Sequence, residues 1–305
     1  MKLAFAMPHQ LEIGVITQPW ELTVTGADQL RLVKLADELG YDMVATPEHF
    51  VIPDEHVGLS GDFYFHAASA QAFFAGATER IRVNSCVSLL PLQNPIITAK
   101  SLATLDWLSG GRAMVTFGVG WLKDEFDLLG VPFGERGAIA DEYLAAIIEL
   151  WTSDQPTFEG KYVSFSEVGF APRPVQQPHP TVWIGGDADA PLRRAARFAQ
   201  GWWPFLTPPA QIAERIDFIK SQPDFRGEPF DVMYGIGTSK LGEGHTPGDP
   251  SVRTDLSADE IVDELGRLAE WGVTYSAVPT GPVGSVSEFE DRCRWMMEEV
   301  RPQLT

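Results

Sequence analysis

Cysteines and cationic side chains are scarce in this chain of 305 residues. The two cysteines, Cys86 and Cys293, are too few for a disulfide framework, which suits a reducing compartment. Lysines and arginines total 23 against 42 aspartates and glutamates, which gives a formal net charge of −19. Such an acidic surface repels nucleic acid and anionic lipid, and we expect neither as a partner.

Long apolar runs are missing as well. No stretch approaches the ~18 consecutive apolar residues of a transmembrane helix, so we expect no membrane span. The apolar N-terminal segment stops at Pro8, which leaves it shorter than the core of a signal peptide. Apolar residues nevertheless make up 44% of the chain, enough for a large core. We therefore expect a cytoplasmic protein with a single domain over residues 1–305.

Several common catalytic and binding motifs are absent too. The sequence contains no P-loop, no Gly-x-Gly-x-x-Gly after its first predicted strand and no Gly-x-Ser-x-Gly elbow of serine hydrolases. It has no Cys-x-x-Cys pair, and its six histidines show no paired spacing, so we expect no metal site.

Short apolar runs alternate with amphipathic stretches along the whole chain, which predicts a parallel sheet. Eight such units favour a closed (β/α)8 TIM barrel of the α/β class; a doubly wound open sheet is the alternative. The predicted strands lie near 2–7, 42–45, 81–87, 113–118, 181–185, 201–204, 230–237 and 273–278. The predicted helices lie near 26–39, 66–76, 95–109, 135–152, 188–200, 208–220, 257–271 and 285–300.

Three segments are too long to be simple connections. The predicted barrel carries insertions after its second strand, at 46–65, and after its seventh, at 238–256. A third segment, at 153–180 before the fifth strand, contains a predicted hairpin. Barrel enzymes place their sites in the loops that follow the strands, so the first and second segments would face the substrate.

Several predicted strands end in residues that are suited to catalysis or to ligand binding. Glu48 and His49 follow the second strand, where an imidazole can exchange a proton near neutral pH or simply bond to a loop carbonyl. Glycine turns follow the fourth and fifth strands, at 118–121 and 185–187. Their backbone amides can approach a phosphate or a flat ring, or the glycines can serve the turns alone. Trp203, in the sixth strand, suits a pocket wall or a core cluster.

Taken together, these segments resemble the bacterial luciferase-like superfamily of flavin and deazaflavin oxidoreductases. Within it, the likeness is strongest to the coenzyme F(420)-dependent oxidoreductases. The resemblance extends from Lys2 to about Arg301 and rests on the order and spacing of its motifs. These motifs are Glu48-His49, 78–83, Asn94-Pro95, 105–112, 118–126 and 182–186.

The resemblance implies a cofactor ring at the mouth of the barrel. It assigns the family's active-site histidine to His49 and its acidic neighbour to Glu48. The bulge in the third strand, behind the ring, falls on Ser85 and Cys86, and we expect a cis peptide bond between these two residues because family members often have one there. Trp203 would form a pocket wall.

The resemblance also places the cofactor phosphate on backbone after the fourth and fifth strands. Lys123 lies near the position where sugar-phosphate dehydrogenases of the deazaflavin group carry an acid, so we do not expect a sugar-phosphate substrate. The implied phosphate residues are Gly120, Trp121, Gly185 and Gly186, with Lys123, Arg193 or Arg194 as candidate helpers.

The activity that the resemblance favours is hydride transfer between coenzyme F(420) and a small organic substrate. One alternative is a two-component monooxygenase that uses reduced FMN, and another is a non-catalytic flavin-binding homologue. His49 and the glycine turns favour an enzyme over the binding protein. Family members are often dimers, so we also expect a homodimer.

Overall fold

Eight parallel strands surround the centre of the molecule in this computed structural model, which describes residues 1–13, 17–227, 229–236 and 255–304. These eight strands and a separate two-stranded hairpin, β5 and β6, are numbered together in chain order. They are β1 (Lys2–Phe5), β2 (Met43–Thr46), β3 (Arg82–Leu89), β4 (Met114–Gly118), β5 (Phe158–Glu159), β6 (Ser164–Phe165), β7 (Thr181–Gly185), β8 (Gly201–Trp203), β9 (Asp231–Val232) and β10 (Tyr275–Ala277). The sheet order is β10-β1-β2-β3-β4-β7-β8-β9, and a parallel bridge between Met233 and Tyr275 joins its two edges. The predicted (β/α)8 barrel is therefore confirmed.

Helices cover the outside of the barrel. Those that the structure describes are α1 (Gly26–Leu39), α2 (Asp54–Ser60), α3 (Ala67–Ala77), α4 (Pro95–Ser109), α5 (Lys123–Leu128), α6 (Arg136–Thr152), α7 (Asp189–Phe198), α8 (Ile212–Lys220), α9 (Ala258–Glu270) and α10 (Val286–Trp295), which continues as a π-helix over Met296–Val300. None of them is both long and apolar enough to cross a lipid bilayer.

Local sequence signals explain where several helices begin and end. Thr25 and Asp28 form a reciprocal capping box at the start of α1, and Ser257 and Glu260 form another at α9. Gly40 ends α1 with a φ of +83°, a left-handed conformation that favours glycine.

The insertions differ in how they fold. The predicted hairpin is formed by the antiparallel strands β5 and β6. Helix α2 occupies part of 46–65, and α5 follows β4; the sequence analysis missed both of these short helices. The insertion at 238–256 lies outside the described residues, except for its last two positions.

Two layers of apolar side chains hold the barrel together. The larger layer lies between the strands and the helices. The smaller one fills the barrel interior, so the mouth is a surface above a packed core rather than the entrance of a pore. Its buried members are Ala4, Met43, Met114, Trp183, Met233 and Tyr275.

Candidate active site

An apolar floor lies at the mouth of the barrel, where β3, β4 and β7 end side by side. The pairing of β3 with β4 shifts register between Cys86 and Ser88, so Val87 projects as a bulge. Its isopropyl group lies over Gly118 and Gly185, the last residues of β4 and β7. A Cβ would approach Val87 to 2.4 Å at Gly118 and to 2.5 Å at Gly185. Glycine at both strand ends therefore makes room for the valine.

The predicted position of the cis peptide bond is wrong by one residue. The bond joins Cys86 to Val87 instead of Ser85 to Cys86. Ser85 remains regularly paired with Thr46 of β2, and its buried hydroxyl hydrogen-bonds to the carbonyl of Thr116 at 3.4 Å. The regular ladder thus holds Ser85 below the mouth, and the bulge begins only after it.

Cys86 lies beside this floor as a neutral thiol. Its side chain is half-buried, and burial raises the pKa of the thiol to about 12. Since the thiolate is the reactive form of cysteine, Cys86 contributes bulk and polarisable surface to the site rather than a nucleophile.

His49 lies at one side of the mouth, where a buried carboxylate orients it. Its Nδ1 is 2.9 Å from Oε2 of Glu125 on α5. The edge of the ring packs against Tyr64, with 4.9 Å between ring centroids, and against Trp121 at 6.1 Å. Nε2 makes no hydrogen bond to any residue that the structure describes. The free ring nitrogen is therefore available to a ligand.

Tyr64 supports the histidine as a neutral phenol. Burial, together with the nearby Glu125 carboxylate, raises the pKa of Tyr64 to about 12. Its hydroxyl donates to the carbonyl of Ser60 at 2.6 Å. This bond fixes the ring that packs against His49.

Glu48, the residue before His49, has its carboxylate fully engaged by other parts of the protein. Its buried carboxylate accepts hydrogen bonds from the backbone of Ala67 and Leu89, and from the side chains of Ser88 and Gln93, at 2.8 to 3.2 Å. These contacts tie the segment after β2 to the start of α3 and the end of β3.

A second histidine–carboxylate pair lies next to the first. His56 of α2 has its Nε2 3.2 Å from Oδ2 of Asp124, and its ring packs edge-on to Trp121 with 6.1 Å between centroids. Together with exposed Glu55, this pair brings three potential ligand atoms within 4.8 Å of one another. The absence of a metal site stays a prediction.

Arg136, a cation that was not predicted as a site residue from the sequence, lies beside the glycine turn after β4. Gly120 has a φ of +77°, and a Cβ there would lie 2.8 Å from the ring of Phe126. Arg136 donates from Nε to the Gly120 carbonyl at 3.2 Å and stacks 3.9 Å over the ring of Phe133. Arg136 has no ion pair with any carboxylate in the described part of the chain. Trp121, the next residue of the turn, is 52% exposed.

The second glycine turn is tied to the segment that follows β8. Gly186, with a φ of +126°, donates its N–H to the carbonyl of Trp203 at 3.2 Å, and its own carbonyl accepts from the indole of Trp202 at 2.7 Å. Asp187 accepts the backbone N–H groups of residues 205–207 at 2.8 to 2.9 Å through one oxygen. Trp203 packs edge-on against Trp183 of the barrel interior, at 6.3 Å between centroids.

The three cationic helpers considered from the sequence are engaged elsewhere. Lys123 pairs with Asp127, and Arg193 lies 3.5 Å from Asp189. Arg194 is buried and donates to a carboxylate of α6 at 2.6 Å. Arg136 therefore replaces them as the cation beside a glycine turn.

Residues at or just after the ends of β2, β3, β4 and β7 thus lie at the mouth, whereas a described cavity lies elsewhere. A cavity of about 240 Å³ opens between α3 and α4, outside the barrel wall. It borders Ser88 and Gln93, which bind Glu48, but not His49 or Val87. Sequence reasoning missed Val87, Glu125 and Arg136; a signal existed only for Glu125, which lies within the motif at 118–126.

Comparisons with known proteins give consistent results. A family profile described as luciferase-like monooxygenase matches residues 1–239. An uncharacterized protein of Mycobacterium tuberculosis is 33% identical over 254 residues, which cover 79% of this chain and 83% of that protein. The FMNH(2)-dependent dimethylsulfone monooxygenase of Pseudomonas putida is 28% identical over 228 residues, which cover 73% of this chain and 59% of that enzyme.

A solved structure shares the fold over almost the whole length of both chains. The coenzyme F420-dependent tetrahydromethanopterin reductase of Methanopyrus kandleri superposes with a TM-score of 0.72 at 19% identity, covering 97% of this chain and 100% of that one. At this identity, the likeness supports the barrel fold alone.

Proposed function

Because this chain belongs to the luciferase-like monooxygenase family, we propose that it is an oxidoreductase that holds a flavin-type ring at the mouth of its barrel. We propose coenzyme F(420) as the cofactor, and hydride transfer to or from a small organic substrate as the reaction. The observation that carries this proposal is Val87 lying across Gly118 and Gly185. A planar ring can rest on this apolar surface without meeting a side chain from either glycine.

When bound, the deazaflavin supplies the hydride chemistry, and the protein supplies orientation, a proton and exclusion of water. We assign the proton to His49, since its Nε2 is free while Nδ1 is held by Glu125. Trp121 and Trp203 would cover the edges of the ring and keep water from it. Glu48 would hold the loop that carries His49, because its carboxylate is already occupied by four donors.

The phosphate of the cofactor needs local donors, since the net charge of −19 repels an anion at long range. The proposal assigns this role to the backbone N–H groups of the turn at Gly120–Trp121, assisted by Arg136. Gly185 and Gly186 would let the cofactor approach the backbone closely, because the N–H of Gly186 already donates to the carbonyl of Trp203. Arg136 suits a phosphate because it is always charged and forms no ion pair with a described carboxylate.

The second candidate is a monooxygenase that receives reduced FMN, as the name of the relative from Pseudomonas putida describes. FMN carries a phosphate of its own, so the two glycine turns suit both cofactors. The preference for F(420) rests on the sequence motifs at 118–126 and 183–186.

Parallel anaerobic titrations of the purified protein with F(420) and FMN, at equal ionic strength, test the choice. We expect tighter binding of F(420), followed by oxidation of its reduced form by small carbonyl or enone substrates. Tighter binding of FMN, with turnover that requires oxygen, would establish the monooxygenase instead. Failure of both cofactors to bind would contradict the proposal as a whole.

We also propose that two copies associate through the outer faces of α3 and α4. Helix α3 contains no charged residue, and Phe73, Ile97 and Leu108 are 48%, 70% and 71% exposed on this face. Two chains of charge −19 repel each other least where no carboxylate is exposed, and the two charged residues of α4 are Lys100 and the buried Asp106. Light scattering should show a dimer that Ile97→Asp converts to monomers; a monomeric parent protein contradicts this association.

A further inference from the structure

Glu125 is a fully buried carboxylate whose two oxygens have different and fixed tasks. Oε1 accepts the backbone N–H groups of Phe50 at 2.6 Å and Val51 at 3.3 Å. Oε2 lies 2.9 Å from Nδ1 of His49. The carboxylate therefore links α5 both to the imidazole and to the backbone that follows it.

The partners of Glu125 dictate where the proton of His49 resides. A backbone N–H can only donate, so the position of Oε1 must be an acceptor. Oε2 of a carboxylate also accepts, so Nδ1 of a neutral His49 must carry the hydrogen. Nε2 is then the nitrogen with the lone pair, and no described residue donates a hydrogen bond to it.

We propose that Glu125 is a positioning residue that fixes the hydrogen of His49 on Nδ1, which leaves Nε2 as the atom that exchanges a proton with the substrate. The first part stands on the geometry of the pair, and the second rests on the proposed function. Glu125 does not itself touch substrate or cofactor in this assignment. It acts through the orientation and the tautomer of the imidazole.

The variant Glu125→Gln tests the proposal because it preserves size while changing one atom. Its carbonyl oxygen must still face the N–H groups of Phe50 and Val51, so its NH₂ group must face Nδ1 of His49. Nδ1 then becomes an acceptor, and the hydrogen moves to Nε2. The variant thus reverses the tautomer without emptying the buried space.

The primary readout is NMR of the cofactor-free full chain with ¹⁵N-labelled histidine. In the parent protein we expect a protonated Nδ1 and an unprotonated Nε2 for His49, and in Glu125→Gln the reverse. With cofactor, we expect turnover to fall by about 10²–10⁴-fold while cofactor affinity is unchanged. Asp124→Asn is the matched control, because the neighbouring carboxylate pairs with His56 and should leave the signals of His49 in place.

Each result has a distinct meaning. A parent protein with its hydrogen on Nε2, or a variant with the parental tautomer, overturns the role of Glu125. If Glu125→Gln does not fold, the measurement on the parent protein still decides the tautomer. A reversed tautomer with unchanged turnover supports the claim that Glu125 sets the tautomer of His49. The same result refutes the claim, made in the proposed function, that His49 exchanges a proton with the substrate.

Discussion

Among the residues that the structure describes, Val87 is the side chain that lies across the strand ends at the floor of the barrel mouth. It occupies the space that side chains at Gly118 and Gly185 would need. The three residues come from β3, β4 and β7, so this contact joins three strand ends in one place. The shape of the floor therefore depends on the absence of two Cβ atoms as much as on the presence of the valine.

Gly118→Ala should disturb this floor. The new Cβ would lie 2.4 Å from a methyl group of Val87 and 3.0 Å from its Cβ, so the valine must move. We expect destabilisation by about 1–3 kcal/mol in urea unfolding, together with weaker cofactor binding. Adding Val87→Ala should recover part of the lost stability, because it removes the clash. Gly266→Ala, which meets no atom within 4 Å on α9, serves as the control and should not destabilise the protein.

His49→Ala separates a catalytic role of this residue from a structural one. If Nε2 exchanges the proton, turnover should fall by roughly 10²–10⁴-fold while cofactor binding and the melting temperature change little. His56→Ala is the comparison, because that histidine also pairs with a carboxylate of α5 but lies nearer the solvent. Loss of stability with unchanged activity per folded molecule would assign His49 to the fold alone.

At the scale of elements, hydrophobic period and turn signals were enough to predict the barrel. The predicted strands and the eight longer helices are all present, since their apolar residues recur at the spacing that burial requires. Helices α2 and α5 contain 7 and 6 residues, too few for a period to show. Val87 escaped prediction because a register shift becomes visible only when β3 and β4 pair.

The same limit applies to the partners of the site residues. Glu125 and His49 are 76 positions apart, and no local pattern indicates that they meet. Arg136 begins α6 and reaches back to the turn at Gly120, again a contact that only the fold creates. Sequence motifs thus predicted where the strands end, whereas the contacts between side chains from different strand ends became visible only in the structure.

Asp187 connects two of these elements, the turn after β7 and the segment after β8. One of its oxygens accepts the backbone N–H groups of residues 205–207 and the hydroxyl of Thr207. Asp187→Ala leaves these donors without a protein partner, so we expect a loss of about 1–3 kcal/mol and weaker cofactor binding. The control Asp189→Asn changes an exposed carboxylate two residues later, and it should alter stability and cofactor binding much less. Equal effects of the two substitutions would contradict the connecting role of Asp187.

At the scale of the whole molecule, the excess of acidic groups makes stability depend on pH. Because the net charge is −19, protonation of carboxylates by acid reduces the repulsion among the acidic groups. This background affects every variant of the chain alike. A difference between two variants therefore isolates the contribution of one titrating residue.

His179 is such a residue, and it should destabilise the fold as the pH falls. Burial, the main cause, and nearby Arg226 lower the pKa of His179 from its ordinary 6.5, while its hydrogen bond to Pro180 partly opposes them. Below 6.5 the unfolded chain therefore binds a proton that the folded chain does not, so stability declines by up to about 1.4 kcal/mol per pH unit. His179→Asn should lose this component, since its amide cannot titrate but can still donate to the Pro180 carbonyl. The free energy of unfolding, measured in urea between pH 7.5 and 5, should fall less for His179→Asn than for the parent protein as the pH is lowered. The control His66→Asn, at an exposed histidine, should give a pH dependence parallel to that of the parent protein. A pH dependence of His179→Asn that is also parallel to the parent would contradict the prediction.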